Sequence, residues 1–208
     1  MTPNEDFYFY EPRSGHGLAH DPINAIVGPR PIGWIGTHDG TGRRNLAPYS
    51  YFNVLNLSPP VVGFASVGYK DTIRNVERTG EFSWNLVTRP LAERMNATSA
   101  TVAPEVDEFE LAGLTPVPCL RIGAPRVAQS PVHFECRVCE VKRLQTAAGA
   151  PLETWLTLGE VVGIHIARAL LGEGVYRTTA ARPVVRGGSR DEYYEIAPEA
   201  LFRMARPD

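Results

Sequence analysis

The sequence predicts an all-β domain with peripheral helices, on three observations. Its 19 glycines and 18 prolines in 208 residues are high for a helical protein and suit many strands joined by turns. Apolar stretches of strand length recur at residues 54–57, 61–67 and 82–87. Two longer stretches, 132–144 and 156–166, also read as strands. A chain of 208 residues fits one domain, which would bury roughly 70% of its unfolded surface.

Residues 1–30 show little periodicity. An aromatic cluster of Phe7, Tyr8, Phe9 and Tyr10 precedes glycine, histidine and proline. They read as an N-terminal arm packed on the domain or on a partner subunit. His16 and His20 have no third ligand at useful spacing, so structural or solvent-facing roles are preferred to a metal. The first credible strand is 31–37, closed by the turn His38-Asp39-Gly40-Thr41-Gly42. Residues 46–57 and 61–67 read as neighbouring strands parted by Ser58-Pro59-Pro60, because proline cannot sit in a central ladder. A helix near 72–79 follows, in which Ile73 and Val76 share a face and Gly80 terminates, and 81–88 returns to strand. Asn85 faces opposite to Trp84 and Leu86 and is either a pocket group or a polar residue on the wet side.

Pro90 suits the first turn of a helix over 90–96, with Leu91 and Met95 four apart. A loop-rich excursion over 104–118 contains a helical turn at 107–112 before Gly113. These pieces either cover the sheet or line a cleft. In 132–144, Val132, Phe134, Cys136 and Val138 face one way and His133, Glu135 and Arg137 the other. In 156–166, Gly159 or Gly163 marks a bulge. His165 faces opposite to its apolar neighbours and is a hydrogen-bonded structural histidine or a catalytic candidate. The tail ends in a surface helix over 198–204.

Two polar clusters interrupt the apolar pattern. Around residues 66–74, Ser66 ends a strand, Gly68 permits a bend, and Asp71 or Thr72 can cap the next helix beside Lys70 and Arg74. The unused N–H groups of that first turn suit a phosphate. Around residues 45–53, Asn45, Ser50 and Asn53 offer hydrogen bonds, Pro48 restricts the backbone, and Tyr49, Tyr51 and Phe52 add ring surface. Such a segment can present polar groups to the edge of a flat heterocycle.

These residues carry a resemblance. P-R-P-I-G-W-I-G-T at 29–37, D-G-T-G-R-R-N-L-A-P-Y-S-Y-F at 39–52 and K-D-T-I-R-N-V-E-R-T-G-E-F at 70–82 resemble one branch of the flavin reductase-like proteins. The likeness extends from F-Y-E-P-R-S-G-H-G-L-A-H-D-P at 9–22 to G-E-V-V-G-I-H-I at 159–166 and a late R-G-G-S-R-D-E-Y at 186–193, nearly the whole chain. It implies a split β-barrel that binds FMN, as a single domain over 1–208 with an arm over 1–30 and an extension over 182–208 near the site. It implies Ser66, Lys70 and Thr72 at the phosphate, and Asn45, Ala47, Pro48 and Ser50 at the ring. Arg30, Thr37, Arg186 and Tyr193 are further cofactor contacts on the same resemblance, Arg30 and Arg186 meeting phosphate, ring or nicotinamide donor; it also keeps His165 near the cleft, and Asn85, as a pocket group, would join the cofactor contacts. It further implies a homodimer whose site both subunits complete.

The activity implied is FMN-dependent oxidoreduction: NAD(P)H:flavin reductase or reductase of a small organic acceptor, with hydride passing to flavin N5 and NADH or NADPH as co-substrate. An electron-acceptor or monooxygenase partner fits that role. The alternatives are an FMN-binding electron carrier without nicotinamide activity, and a non-redox binding protein on the same barrel. A formal charge of −2 gives no general attraction to nucleic acid or anionic lipid, and no apolar run is long enough to span a bilayer. Cys119, Cys136 and Cys139 cannot all pair within one chain, and a reducing, cytoplasmic setting is expected. Cys136 and Cys139 have C-x-x-C spacing but no second pair to complete a metal site. No G-x-S-x-G elbow, H-E-x-x-H or G-x-G-x-x-G fingerprint is present.

Overall fold

The computed structural model describes residues 6–205 and 207, so the ends of the expected arm and tail, residues 1–5, 206 and 208, lie outside the described residues. In chain order the elements are α1 (Ile23–Ile26), β1 (Arg30–Pro31), β2 (Gly33–His38), β3 (Arg44–Tyr49), β4 (Phe52–Leu57) and β5 (Pro60–Val67). Next come α2 (Asp71–Thr79), β6 (Glu81–Asn85), α3 (Ala92–Ala97), α4 (Glu108–Leu111), β7 (Pro116–Val117) and β8 (Arg126–Val127). The chain ends with β9 (Val132–Gln145), β10 (Pro151–Ile166), β11 (Leu171–Gly172), β12 (Val175–Tyr176), β13 (Val184–Arg186) and β14 (Tyr193–Glu195).

Seven strands form one antiparallel sheet in the order β3-β2-β6-β9-β10-β5-β4. Its two edge strands, β3 and β4, are consecutive in sequence. The single strand expected over 46–57 is therefore two, because the chain bends at Ser50 and Tyr51 to pass from one edge to the other. Near the bend the Ala65 N–H donates to the Tyr51 carbonyl at 2.8 Å, tying β5 to this seam. The curl needs local irregularity, and the β9–β10 ladder shifts register between Leu158 and Gly159 and between Val161 and Gly163. At Gly159 a Cβ would stand 2.4 Å from the Phe82 ring, so the bend also needs a missing side chain.

Two cores use opposite faces of the same strands. Inside the curl lie Ile35, Phe64, Phe82 and Cys136, with Ile73 and Val76 of α2 packed against them. Outside it, Trp34 and Leu46 meet Val87, Leu91, Met95 and Phe109, so the excursion after β6 covers β2 and β3. Burial on both faces explains why residues 32–37 lack polar alternation. Each large apolar side chain enclosed in this way contributes about 1.5–3 kcal/mol.

Gly80, at φ 71°, terminates α2. The His133 and Glu135 face of β9 is also buried, because the segment before β9 folds over it. Glu135 accepts the N–H groups of Leu120 at 2.8 Å and Arg121 at 2.6 Å. All three cysteines are free thiols. The tail helix expected over 198–204 is only a 3-10 turn, Pro198–Ala200. Leu201, Phe202 and Met204 beyond it are exposed, so no packed face propagates the turn. Among the described residues no helix is long and apolar enough to cross a membrane.

Candidate functional site

The outer edge of β3 is the floor from which the site is built. Leu46 turns its N–H away from β2 and donates it to Glu108 Oε2 at 3.1 Å. With a period of two, Pro48 and Ser50 turn the same backbone edge outward. Pro48 has no N–H to lose, which is why an edge strand tolerates it. Facing this edge are the first turn of α2 and residues 98–102 at the end of α3. Together they enclose a cavity of about 320 Å³ lined by Asn45, Ala47, Pro48, Lys70, Thr72 and Ser99, with others. Past Pro48 and Ser99 the groove continues into a second chamber of about 260 Å³ bordered by Ser50, Asn96, Arg186, Arg190 and Tyr193.

The α2 end of the groove is electropositive by construction. Lys70 is the N-cap in extended conformation, and no side chain caps the helix. The cap expected from Asp71 or Thr72 fails because each is engaged elsewhere. Asp71 pairs with Arg74, and the Thr72 hydroxyl accepts Asn45 Nδ2 at 2.9 Å. Among the described residues the first-turn N–H groups thus keep no internal acceptor, and they face the groove with the positive end of the helix dipole. Tyr49 Oη is buried beside the Thr72 and Ser66 hydroxyls, yet neither meets hydrogen-bond geometry, leaving the phenol without a partner among the described residues. Burial raises the Tyr49 pKa, against the pull of those two hydroxyls. Glu108, also buried at the wall, is raised by desolvation, with the Leu46 N–H opposing.

Residues 28–184 match the flavin reductase like domain. The chain belongs to that family. An uncharacterised protein of Halalkalibacterium halodurans is 38% identical over 193 residues, covering 89% of this chain and 88% of its own. The crystal structure of nitrilotriacetate monooxygenase component B from Bacillus cereus superposes with a TM-score of 0.82 at 27% identity, covering 98% of this chain and 97% of that one. Pseudomonas fluorescens 2-nitrobenzoate 2-nitroreductase gives 0.78 at 27% identity, covering 89% and 88%. The curled sheet is thus the split β-barrel of flavin reductase-like proteins, with helices at its periphery.

Of the residues expected at a flavin reductase-like site, the fold brings Asn45, Ala47, Pro48, Lys70 and Thr72 around the first chamber and Ser50, Arg186 and Tyr193 around the second. Five others lie outside these walls. Thr37 is fully buried, and its hydroxyl accepts Asn45 Nδ2 at 3.2 Å and Asn75 Nδ2 at 3.0 Å, so it positions Asn45 from behind. Ser66 is buried and donates to the Gly68 carbonyl at 2.9 Å. Asn85 is neither wet nor in the groove. Its amide donates to the Trp34 carbonyl at 3.1 Å, and its oxygen accepts the Val127 N–H at 2.8 Å.

Arg30 spends its guanidinium on backbone carbonyls, Asn24 and Val27 in the arm and Gly187 in the tail. It ties those segments together. His165 pairs with Glu135 on the β9–β10 face, where burial would raise the carboxyl but the Leu120 N–H, His165 and the Arg121 N–H together hold it low. Sequence reasoning missed Ser99, Thr101, Glu108 and Arg190. The run Ala97-Thr98-Ser99-Ala100-Thr101, small and hydroxyl-rich where a helix ends, was the available signal for the first two.

Proposed function

We propose that this protein is an FMN-dependent oxidoreductase: an NAD(P)H:flavin reductase or a reductase of a small organic acceptor, working in the cytoplasm as a homodimer. One observation carries the reading, a groove with an uncapped helix N-terminus and a free lysine at one end and an open strand edge along its length. Lys70, Thr72 and the first-turn amides of α2 would hold the phosphate. The unpartnered Tyr49 hydroxyl beside Thr72 fits the same group, being a buried donor that a phosphate oxygen would satisfy. Asn45, Ala47, Pro48 and Ser50 would orient the ring through the β3 edge. Bound FMN would supply the hydride-accepting centre, while the chain positions it and excludes water.

Support for the second subunit lies next to the groove. Ser50 also borders a cavity of about 590 Å³ lined by Ile26, Val27, Tyr51, Leu55 and Leu156. Leu55 and Leu57 on β4 are 56% and 83% exposed, an apolar face that a second copy would cover.

The test is an anaerobic visible spectrum during FMN titration, followed by NADH and then NADPH. Saturable binding and loss of the oxidised-flavin band are expected. Binding without bleaching favours an electron carrier, and no FMN uptake defeats the cofactor assignment. Light scattering tests the dimer.

A further inference from the structure

The second chamber carries positive charge that no carboxylate balances. Arg186 and Arg190 line it, and among the described residues no aspartate or glutamate does. Arg186 ends β13, the middle strand of the sheet β1-β13-β14, so its backbone is fixed on both sides. Its guanidinium lies over the Tyr193 ring, 4.6 Å from the centroid. Among the described residues no carboxylate pairs with it.

The acids that the sequence places nearby are committed elsewhere. Glu192 accepts the N–H groups of Gly188 at 3.2 Å and Ser189 at 3.1 Å, and Asp191 accepts the Ser189 hydroxyl at 2.9 Å. Asp191 lines the cavity on the far side of Tyr193, where Glu93 is paired with Arg89 of the same wall and Glu195 with Arg182. Tyr193 thus divides a cationic chamber from one of mixed, largely paired charge.

The geometry points to a binding site for a small organic carboxylate in the second chamber, held by the Arg186 fork with Arg190 beside it and Tyr193 as a wall. This names the substrate class for the oxidoreductase read above and rests on that reading. A planar guanidinium presents parallel N–H donors to a carboxylate, and stacking on tyrosine orients them before the ligand arrives. A volume of about 260 Å³ suits a single-ring molecule.

Benzoate and its neutral isostere benzamide provide the test. FMN loading is measured first by absorbance, and both probes are then titrated calorimetrically into wild type, Arg186→Gln and Arg190→Gln. Benzoate should bind at least tenfold tighter than benzamide. Arg186→Gln should abolish that contrast with FMN still bound, and Arg190→Gln, on an exposed loop, should reduce it. Equal affinities, a contrast that survives Arg186→Gln, or loss of FMN together with the contrast would each overturn the assignment. If the protein takes up no FMN, the cofactor reading fails separately. The same pair titrated into the apoprotein then decides the anion site by the same contrast.

Discussion

Acid should weaken this fold in part through one buried imidazole. His133 is 4% exposed, its Nε2 donates to the Val127 carbonyl at 2.8 Å, and its Nδ1 has no partner among the described residues. Burial is the largest cause that pushes its pKa down from 6.5 to about 4, while the Val127 hydrogen bond opposes. Between those two values the unfolded chain binds a proton that the folded chain does not. The stability linked to His133 is therefore complete above pH 6.5 and is lost as pH falls through about 4. The loss works out at about 2 kcal/mol by pH 5 and about 3 kcal/mol by pH 4. Urea unfolding of wild type and His133→Gln at pH 7, 6 and 5 isolates it, since glutamine can still donate to Val127 but does not titrate. The stability gap between the two proteins should narrow by about 2 kcal/mol from pH 7 to pH 5. Parallel pH profiles would refute the reasoning, because His133 would then take up its proton without unfolding.

Three substitutions probe other links. Lys70→Ala should weaken FMN binding by about 1–3 kcal/mol, and an unchanged dissociation constant in fluorescence titration would remove Lys70 from the phosphate end. Gly159→Ala pushes a methyl group into the Phe82 ring and should cost about 1–3 kcal/mol; an unaltered thermal midpoint would mean that the bulge absorbs it. Thr37→Val deletes the oxygen that Asn45 and Asn75 share. It should cost about 1–3 kcal/mol in stability and weaken FMN without touching it, and an effect on neither would make the network incidental.

The strands were legible where period and punctuation agreed. Gly159 and Gly163 stood out inside an apolar run and do sit at the shifts of the β9–β10 ladder. The bend at Ser50 and Tyr51 was not legible, because its residues have no turn signature and the break comes from joining opposite edges of one sheet. Groove residues in helix and strand motifs, such as Lys70 and Pro48, carried a local signal. Thr37 stood as a cofactor contact through the resemblance and Asn85 through its place opposite Trp84 and Leu86, and a polar side chain in an apolar strand can serve a ligand or the core. Only their partners, Trp34, Val127, Asn45 and Asn75, distinguish the two cases. Glu108 was hidden for the opposite reason, as one acid among several in a stretch without clear periodicity.

An uncovered strand edge is also an invitation to aggregate, since another extended chain can pair with its free amides. On β3 Pro48 lacks the donor, and the Leu46 donor is already given to Glu108. A foreign strand therefore finds no ladder to continue, whereas a flat molecule needs only the few groups left open between them. The proline that borders the groove thus also leaves that edge without a donor for a neighbouring chain.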